Sequence, residues 1–191
     1  MQTIFISVVF TVIAIQLFAQ PLNQKTKDRN GNDMLVGCCT IEALMQEPYA
    51  GWFLKNYTDY QIDTSLTAEI KKNMVNKEFI LFLGTWCGDS KREVPRILKL
   101  LHYCGATTEQ IKLVMVSNLA NEYKQSPSHE EKGMNILRVP TLIVMQNKRE
   151  LNRIVESPVE SIEKDLLKIL TGKTYLHNYA DVQSSVFHIK K

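Results

Sequence analysis

Phe79-Ile-Leu-Phe-Leu-Gly-Thr-Trp-Cys-Gly-Asp-Ser-Lys91 is the stretch whose reading decides the fold. It opens as an apolar run of strand length, Phe79 to Gly84, and closes in Trp86-Cys87-Gly88-Asp89-Ser90. Beyond it, Val94, Ile97, Leu98 and Leu101 recur at helical spacing. The chain thus passes from a buried strand to a helix N-terminus at Cys87. Unpaired N–H groups and the positive end of the helix dipole favour an anionic sulfur there. The fourth position of a Cys-x-x-Cys pair holds Ser90 instead, so the thiol that would attack a mixed disulfide is missing. A hydroxyl at Ser90 is suited to hydrogen-bond the Cys87 sulfur, not to replace a nucleophile.

The helix from about Ser90 to Tyr103 contains Pro95, which removes one backbone hydrogen bond. Ile111 to Val116 reads as a strand, residues 117–128 as a polar loop, and Ser128 to about Ile136 as a helix. Leu142 to Met145 and Glu150 to Val155 form a hairpin about the turn Asn147-Lys148-Arg149. Ser157-Pro158-Val159-Glu160 reads as a helix start with a capping box, and Val159, Ile162, Leu166, Ile169 and Leu170 give that helix its apolar face. Upstream, residues 20–33 are polar and turn-rich and read as a flexible leader. Residues 34–76 read as a helical extension: helices over 41–46, capped near Thr40, and over 66–74, flanking an aromatic stretch. In that stretch Tyr49, Trp52, Phe53, Tyr57 and Tyr60 are expected to pack against the main domain. Residues 173–191 read as an irregular tail.

Trp86-Cys87-Gly88-Asp89-Ser90 and Val139-Pro140-Thr141, in this order, resemble the active-site turn and cis-proline segment of the thioredoxin superfamily. The resemblance covers roughly residues 77–172. It extends to exported bacterial thioredoxin-like proteins with a Trp-Cys-Gly-Asp-Ser turn. Gly37-Cys-Cys-Thr, Glu47-Pro-Tyr and Trp52-Phe look like part of that subgroup. It implies an α/β, thioredoxin-like fold: a four-stranded mixed sheet with helices on both faces, plus the N-terminal helical extension. It implies thiol–disulfide exchange, with Cys87 as nucleophile and Ser90 as its hydrogen-bond partner. Trp86, Val139 and Pro140 would form the surface that docks an extended substrate chain. The partners implied are protein thiols or disulfides, or a small-molecule thiol, and no cofactor. The family's buried acid, six residues before the first cysteine, is replaced by Leu81. A degenerate, non-catalytic module that docks peptides beside the proline is the alternative reading.

The 191 residues are 45% hydrophobic and 23% charged, with a net charge of +3. That composition is ordinary for a globular domain, and no basic patch argues for nucleic acid. Residues 1–19 carry no charged side chain and end at Ala19, as a cleaved secretory signal would, with an uncleaved N-terminal anchor as the alternative reading. No other stretch is long enough to span a membrane. A periplasmic or secreted location follows, where disulfides persist. Cys38 and Cys39 are then candidate resolving thiols for Cys87, whereas Cys104 lies roughly 25 Å away along the helix at about 1.5 Å per residue. His102, His129, His177 and His188 are too scattered for a metal site. His129 is the one whose loop could approach the active-site turn.

Overall fold

The structure, a computed structural model, describes residues 21–182. The expected signal segment therefore lies outside the described residues, as does the end of the tail. In chain order the elements are β1 (Gln24–Lys27), β2 (Asp33–Cys39), α1 (Ile41–Leu44), α2 (Ala50–Asp59), α3 (Thr67–Asn73) and β3 (Glu78–Leu83). They continue with α4 (Gly88–Tyr103), β4 (Ile111–Met115), β5 (Thr141–Gln146), β6 (Arg149–Val155) and α5 (Ile162–Leu170).

The strands form one six-stranded mixed sheet in the order β1-β2-β4-β3-β5-β6. This corrects the expected four-stranded thioredoxin-like sheet, although the fold is α/β. The two added strands come from the leader and from the start of the extension. Gln24–Lys27 pairs antiparallel with Asp33–Val36, and Gly37–Cys39 pairs antiparallel with β4. A run such as Gln-Lys-Thr-Lys carries no hydrophobic alternation, because as an edge strand it buries almost nothing and is held by its backbone ladder. The leader is thus part of the sheet, and the extension is strand first and helical after.

Helices on both faces is a second expectation the structure corrects. Along β3, Phe79, Leu81 and Leu83 point to one side, where they meet buried residues from each of α1 to α5. Ile80 and Phe82 point to the other side, where they meet Val114, Val116, Val139, Ile143, Met134 and Ile136. That second face is covered by the irregular segment 117–140. The expected helix over 128–136 does not form: His129 and Asn135 have positive φ, as does Gly133, which breaks a continuous helical run. The segment is tied down instead by Arg153, which donates to the Asn135 carbonyl at 3.1 Å while pairing with Glu150. The last helix also starts later than its sequence suggests. Ser161 caps it, accepting from the Lys164 N–H. Asp165 reaches back to accept from Val159 and Glu160 N–H, using the groups that a start at Ser157 would have placed inside the helix.

The aromatic stretch becomes α2, which packs along α4. Phe53 is fully buried in the helix-side core, stacked on Tyr57. Two polar contacts fix the pair. Lys99 donates to the Thr58 and Tyr60 carbonyls at the C-terminal end of α2. Pro95 has no N–H to give the Lys91 carbonyl one turn earlier, and the Asn56 side chain of α2 donates to that carbonyl at 3.2 Å. The extension thus supplies the hydrogen bond that the proline withholds from the first turns of α4. Replacing Asn56 by Leu leaves that carbonyl short of a donor and is expected to lower stability by about 1 kcal/mol. Urea unfolding measures this. The same substitution in a Pro95→Ala background should cost clearly less, because an alanine at that position has its own N–H to donate.

Candidate functional site

Strand β3 ends at Leu83, and the chain turns through Gly84-Thr85-Trp86 into α4 with Cys87 as the N-cap. The Cys87 N–H bonds back to the Gly84 carbonyl at 2.9 Å, and the Cys87 carbonyl accepts from Lys91 at 3.0 Å, which closes the first helical turn. Gly84 is required there by space: a Cβ would lie 2.5 Å from Cε2 of Trp86. The Trp86 ring covers that glycine, donates from Nε1 to the Val116 carbonyl at 2.8 Å, and has the Tyr123 ring 5.9 Å away. The indole is therefore locked beside the cysteine rather than loose on the surface.

Cys87 is partly exposed, and its Sγ donates to the carbonyl of Val139 at 3.3 Å. The Val139–Pro140 peptide is cis. Val139 precedes β5, whose ladder begins at Thr141, so its backbone is not committed to the sheet. The structure thus brings Trp86, Cys87, Val139 and Pro140 together. Ser90 is close in the chain but differently engaged: it is fully buried, and its Oγ accepts from the Gly84 N–H at 3.2 Å. The expected Ser90–Cys87 hydrogen bond is not the one made. Ser90 pins the turn that presents Cys87. Asp89 is paired with Arg92 at 2.7 Å, so the charge beside the cysteine is compensated on its own helix.

The other cysteines do not join this site, and no disulfide links any two of the four. Neighbours in β2, Cys38 and Cys39 point to opposite faces of the sheet. Cys39 is buried in the helix-side core, where burial pushes its thiol up to about 12. Cys38 is on the same face as Cys87, but β4 lies between β2 and β3, a lateral separation of about 10 Å for two strand spacings. Cys87 leans further away, toward the β5 side where Val139 sits. A disulfide needs Cα atoms within about 7 Å, so neither residue is placed to resolve Cys87. Burial, and then a 3.3 Å hydrogen bond to Glu130, push the Cys38 thiol up, with Lys112 acting against them. Cys104 ends α4 in the core, its thiol raised by burial. His129 faces Glu131 on the loop at 3.3 Å. Among the described residues, no group of three or more His, Cys, Asp or Glu is placed to hold a metal ion, and no helix is long and apolar enough to cross a membrane.

Sequence reasoning missed the Asn56–Lys91 contact and the buried role of Ser90. It also missed a cleft on the α2 side of Trp86, about 590 Å³ in volume, where the β1–β2 turn faces the start of α2. The signal for the cleft was faint: the Asp28-Arg-Asn-Gly-Asn32 turn, which reads equally well as a disordered linker.

No protein-family model matches the chain, and no curated protein matches it. Among solved structures it is similar to a crystal structure of a protein of unknown function from Pseudomonas aeruginosa. That likeness has 15% identity and a TM-score of 0.49, and covers 66% of this chain and 86% of that one. It is also similar to the crystal structure of an HIV epitope scaffold, with 15% identity, a TM-score of 0.46, and coverage of 68% of this chain and 88% of that one. Likeness at this level says nothing of activity.

The thiols should react in a fixed order. In the native chain at neutral pH, iodoacetamide should modify Cys87 first. Cys38 should follow slowly, at a rate that climbs as pH rises. Cys39 and Cys104 should stay unmodified until the chain unfolds. A time course read by peptide mass spectrometry checks this, and Cys38 reacting as fast as Cys87 would contradict it.

Proposed function

We propose that the protein carries out thiol–disulfide exchange through Cys87 as a single nucleophile, with an external thiol completing each cycle. The observation that carries the reading is the placement of Cys87. Cys87 is partly exposed and occupies the N-cap position of a 16-residue helix, and its sulfur donates to the Val139 carbonyl at 3.3 Å, where the backbone has not yet entered the β5 ladder. The thiolate form of a cysteine is the nucleophile in such exchange. In the proposed reaction the Cys87 thiolate attacks one sulfur of a disulfide R–S–S–R′. The Cys87–S–R bond forms and R′S⁻ leaves. An external thiolate R″S⁻ then attacks the R sulfur, giving R–S–S–R″ and restoring the Cys87 thiolate. The external thiol is needed because Ser90 cannot act as the second nucleophile and Cys38 and Cys39 lie out of reach.

The resemblance to the thioredoxin superfamily enters this proposal through the Trp86–Ser90 turn and the Val139–Thr141 segment, not through the sheet. Exchange outside the cytosol, in a periplasmic or secreted setting, is part of the same proposal and rests on the reading of residues 1–19 as a signal. A second reading, a peptide-docking module without turnover, is favoured by one contact: the Ser90 hydroxyl serves the Gly84 N–H rather than the sulfur.

Reduction of a fluorogenic peptide disulfide with a small thiol as donor separates the two. The exchange reading expects a rate that falls to the uncatalysed background in Cys87→Ser and is unchanged in Cys38→Ser. A native rate no faster than background leaves the docking reading. A rate lost in Cys38→Ser would mean that the sheet rearranges to let Cys38 resolve Cys87.

A further inference from the structure

Beyond α5 the chain returns to β6 and then to the segment that faces Cys87. Tyr175 is buried, its hydroxyl donating to Asp165 at 3.2 Å and its carbonyl accepting from the Asn152 side chain at 3.0 Å. The Asn178 side chain donates to the Ser157 carbonyl at 2.9 Å. These contacts anchor the segment without Tyr179, the next residue. Tyr179 is only partly buried and belongs to neither core cluster.

What Tyr179 holds is the chain on both sides of Val139. Before Val139, the Arg138 guanidinium lies over the Tyr179 ring, 5.1 Å from its centre. After Val139, the Pro140 carbonyl accepts from the Glu156 N–H at 2.7 Å, and the Glu156 carboxylate accepts from the Tyr179 hydroxyl. The two flanks are also joined to each other, since the Thr141 hydroxyl donates to the Arg138 carbonyl at 2.7 Å. Tyr179 has a φ of +69° and Glu156 one of +65°, a left-handed backbone that neither residue type favours. Such conformations persist only where the surroundings impose them, and they gather at working sites. The bond to Glu156 is the main cause that raises the Tyr179 hydroxyl above its ordinary range. Asp89, in the first turn of α4, acts in the same direction at longer range, and Arg138 acts against it. The side chain is therefore neutral near pH 7 and acts on Val139 by contact, not by charge.

We propose that Tyr179 is a positioning residue for substrate docking: by holding both flanks of Val139 it fixes the backbone that faces the Cys87 sulfur, so that an extended substrate chain meets that backbone already in place. The proposal rests on the exchange reading and adds to it a residue from outside the stretch that resembles the thioredoxin superfamily. A docking backbone that has to be ordered as the substrate arrives costs affinity, so the effect falls on KM.

The test compares two disulfides, each with the full chain and the same small thiol as donor. One is a fluorogenic peptide disulfide, which uses the docking backbone. The other is bis(2-hydroxyethyl) disulfide, which has no peptide chain to dock. Tyr179→Ala should raise KM for the peptide about tenfold with kcat nearly unchanged, and should leave the rate with the small disulfide at its native value. Tyr179→Phe keeps the ring on Arg138 and loses the bond to Glu156, so its KM should fall between the two. A merely structural role would slow both substrates alike, and that result overturns the proposal. So does a peptide KM that is the same in the native and Tyr179→Ala chains. Where Tyr179→Ala unsettles the fold, Tyr179→Phe carries the test, with a native KM as the contrary result. A native chain that turns over neither disulfide contradicts the exchange reading itself and overturns the proposal with it.

Discussion

Strand β3 is hydrogen-bonded along both edges, parallel to β4 and antiparallel to β5. That double pairing fixes which way each of its side chains points, and much of the remaining architecture follows from it. Phe79, Leu81 and Leu83 are committed to the helix side, so α1 to α5 gather there. Ile80 and Phe82 are committed to the other side, and the segment 117–140 folds over them. A slip of one residue in either ladder would exchange the two sets. It would also move the end of β3, where the chain must turn into α4. The position of Cys87 is in this sense a property of the sheet.

The turn after β3 is then held by contacts that each leave little freedom. Gly84 makes room for the Trp86 ring, Ser90 accepts the Gly84 N–H, and Asn56 donates to the Lys91 carbonyl that Pro95 leaves unserved. The last contact matters for how the N-terminal region is understood. Residues before β3 are not an appendage: β2 extends the sheet, α2 packs along α4, and one of its side chains supports the first turns of the helix that carries the cysteine. Leu81 fits this picture, because its position lies wholly within the helix-side core.

The parts of the fold legible in the sequence were those with strong local signals. The apolar run of β3, the periodic face of α4, and the β5–β6 hairpin all show plainly. The hairpin turn at Asn147-Lys148 has positive φ at both residues, the mirror-image turn that suits twisted strands. The elements that were missed are those whose reason lies far away in the chain. Gln24–Lys27 is a strand only because β2 is there to pair with it. The α5 start at Ser161 depends on Asp165 reaching back to Val159 and Glu160. The cysteines were countable from the sequence, but their separation is set by β4 intervening between β2 and β3, which no local pattern encodes. Ser90 was expected to serve the sulfur. In the fold its nearer need is the Gly84 N–H, a backbone donor that would otherwise be buried without a partner.

The central claim is that the turn after β3 presents Cys87 as the reactive sulfur of this chain. Its most direct test is to incubate the native protein with an excess of a small-molecule disulfide, quench with acid, and locate the mixed disulfide by peptide mass spectrometry. The account predicts an adduct on Cys87 alone, formed within the time that the folded state persists. An adduct that forms first on Cys38, or one that appears on Cys87 only after unfolding, would contradict it.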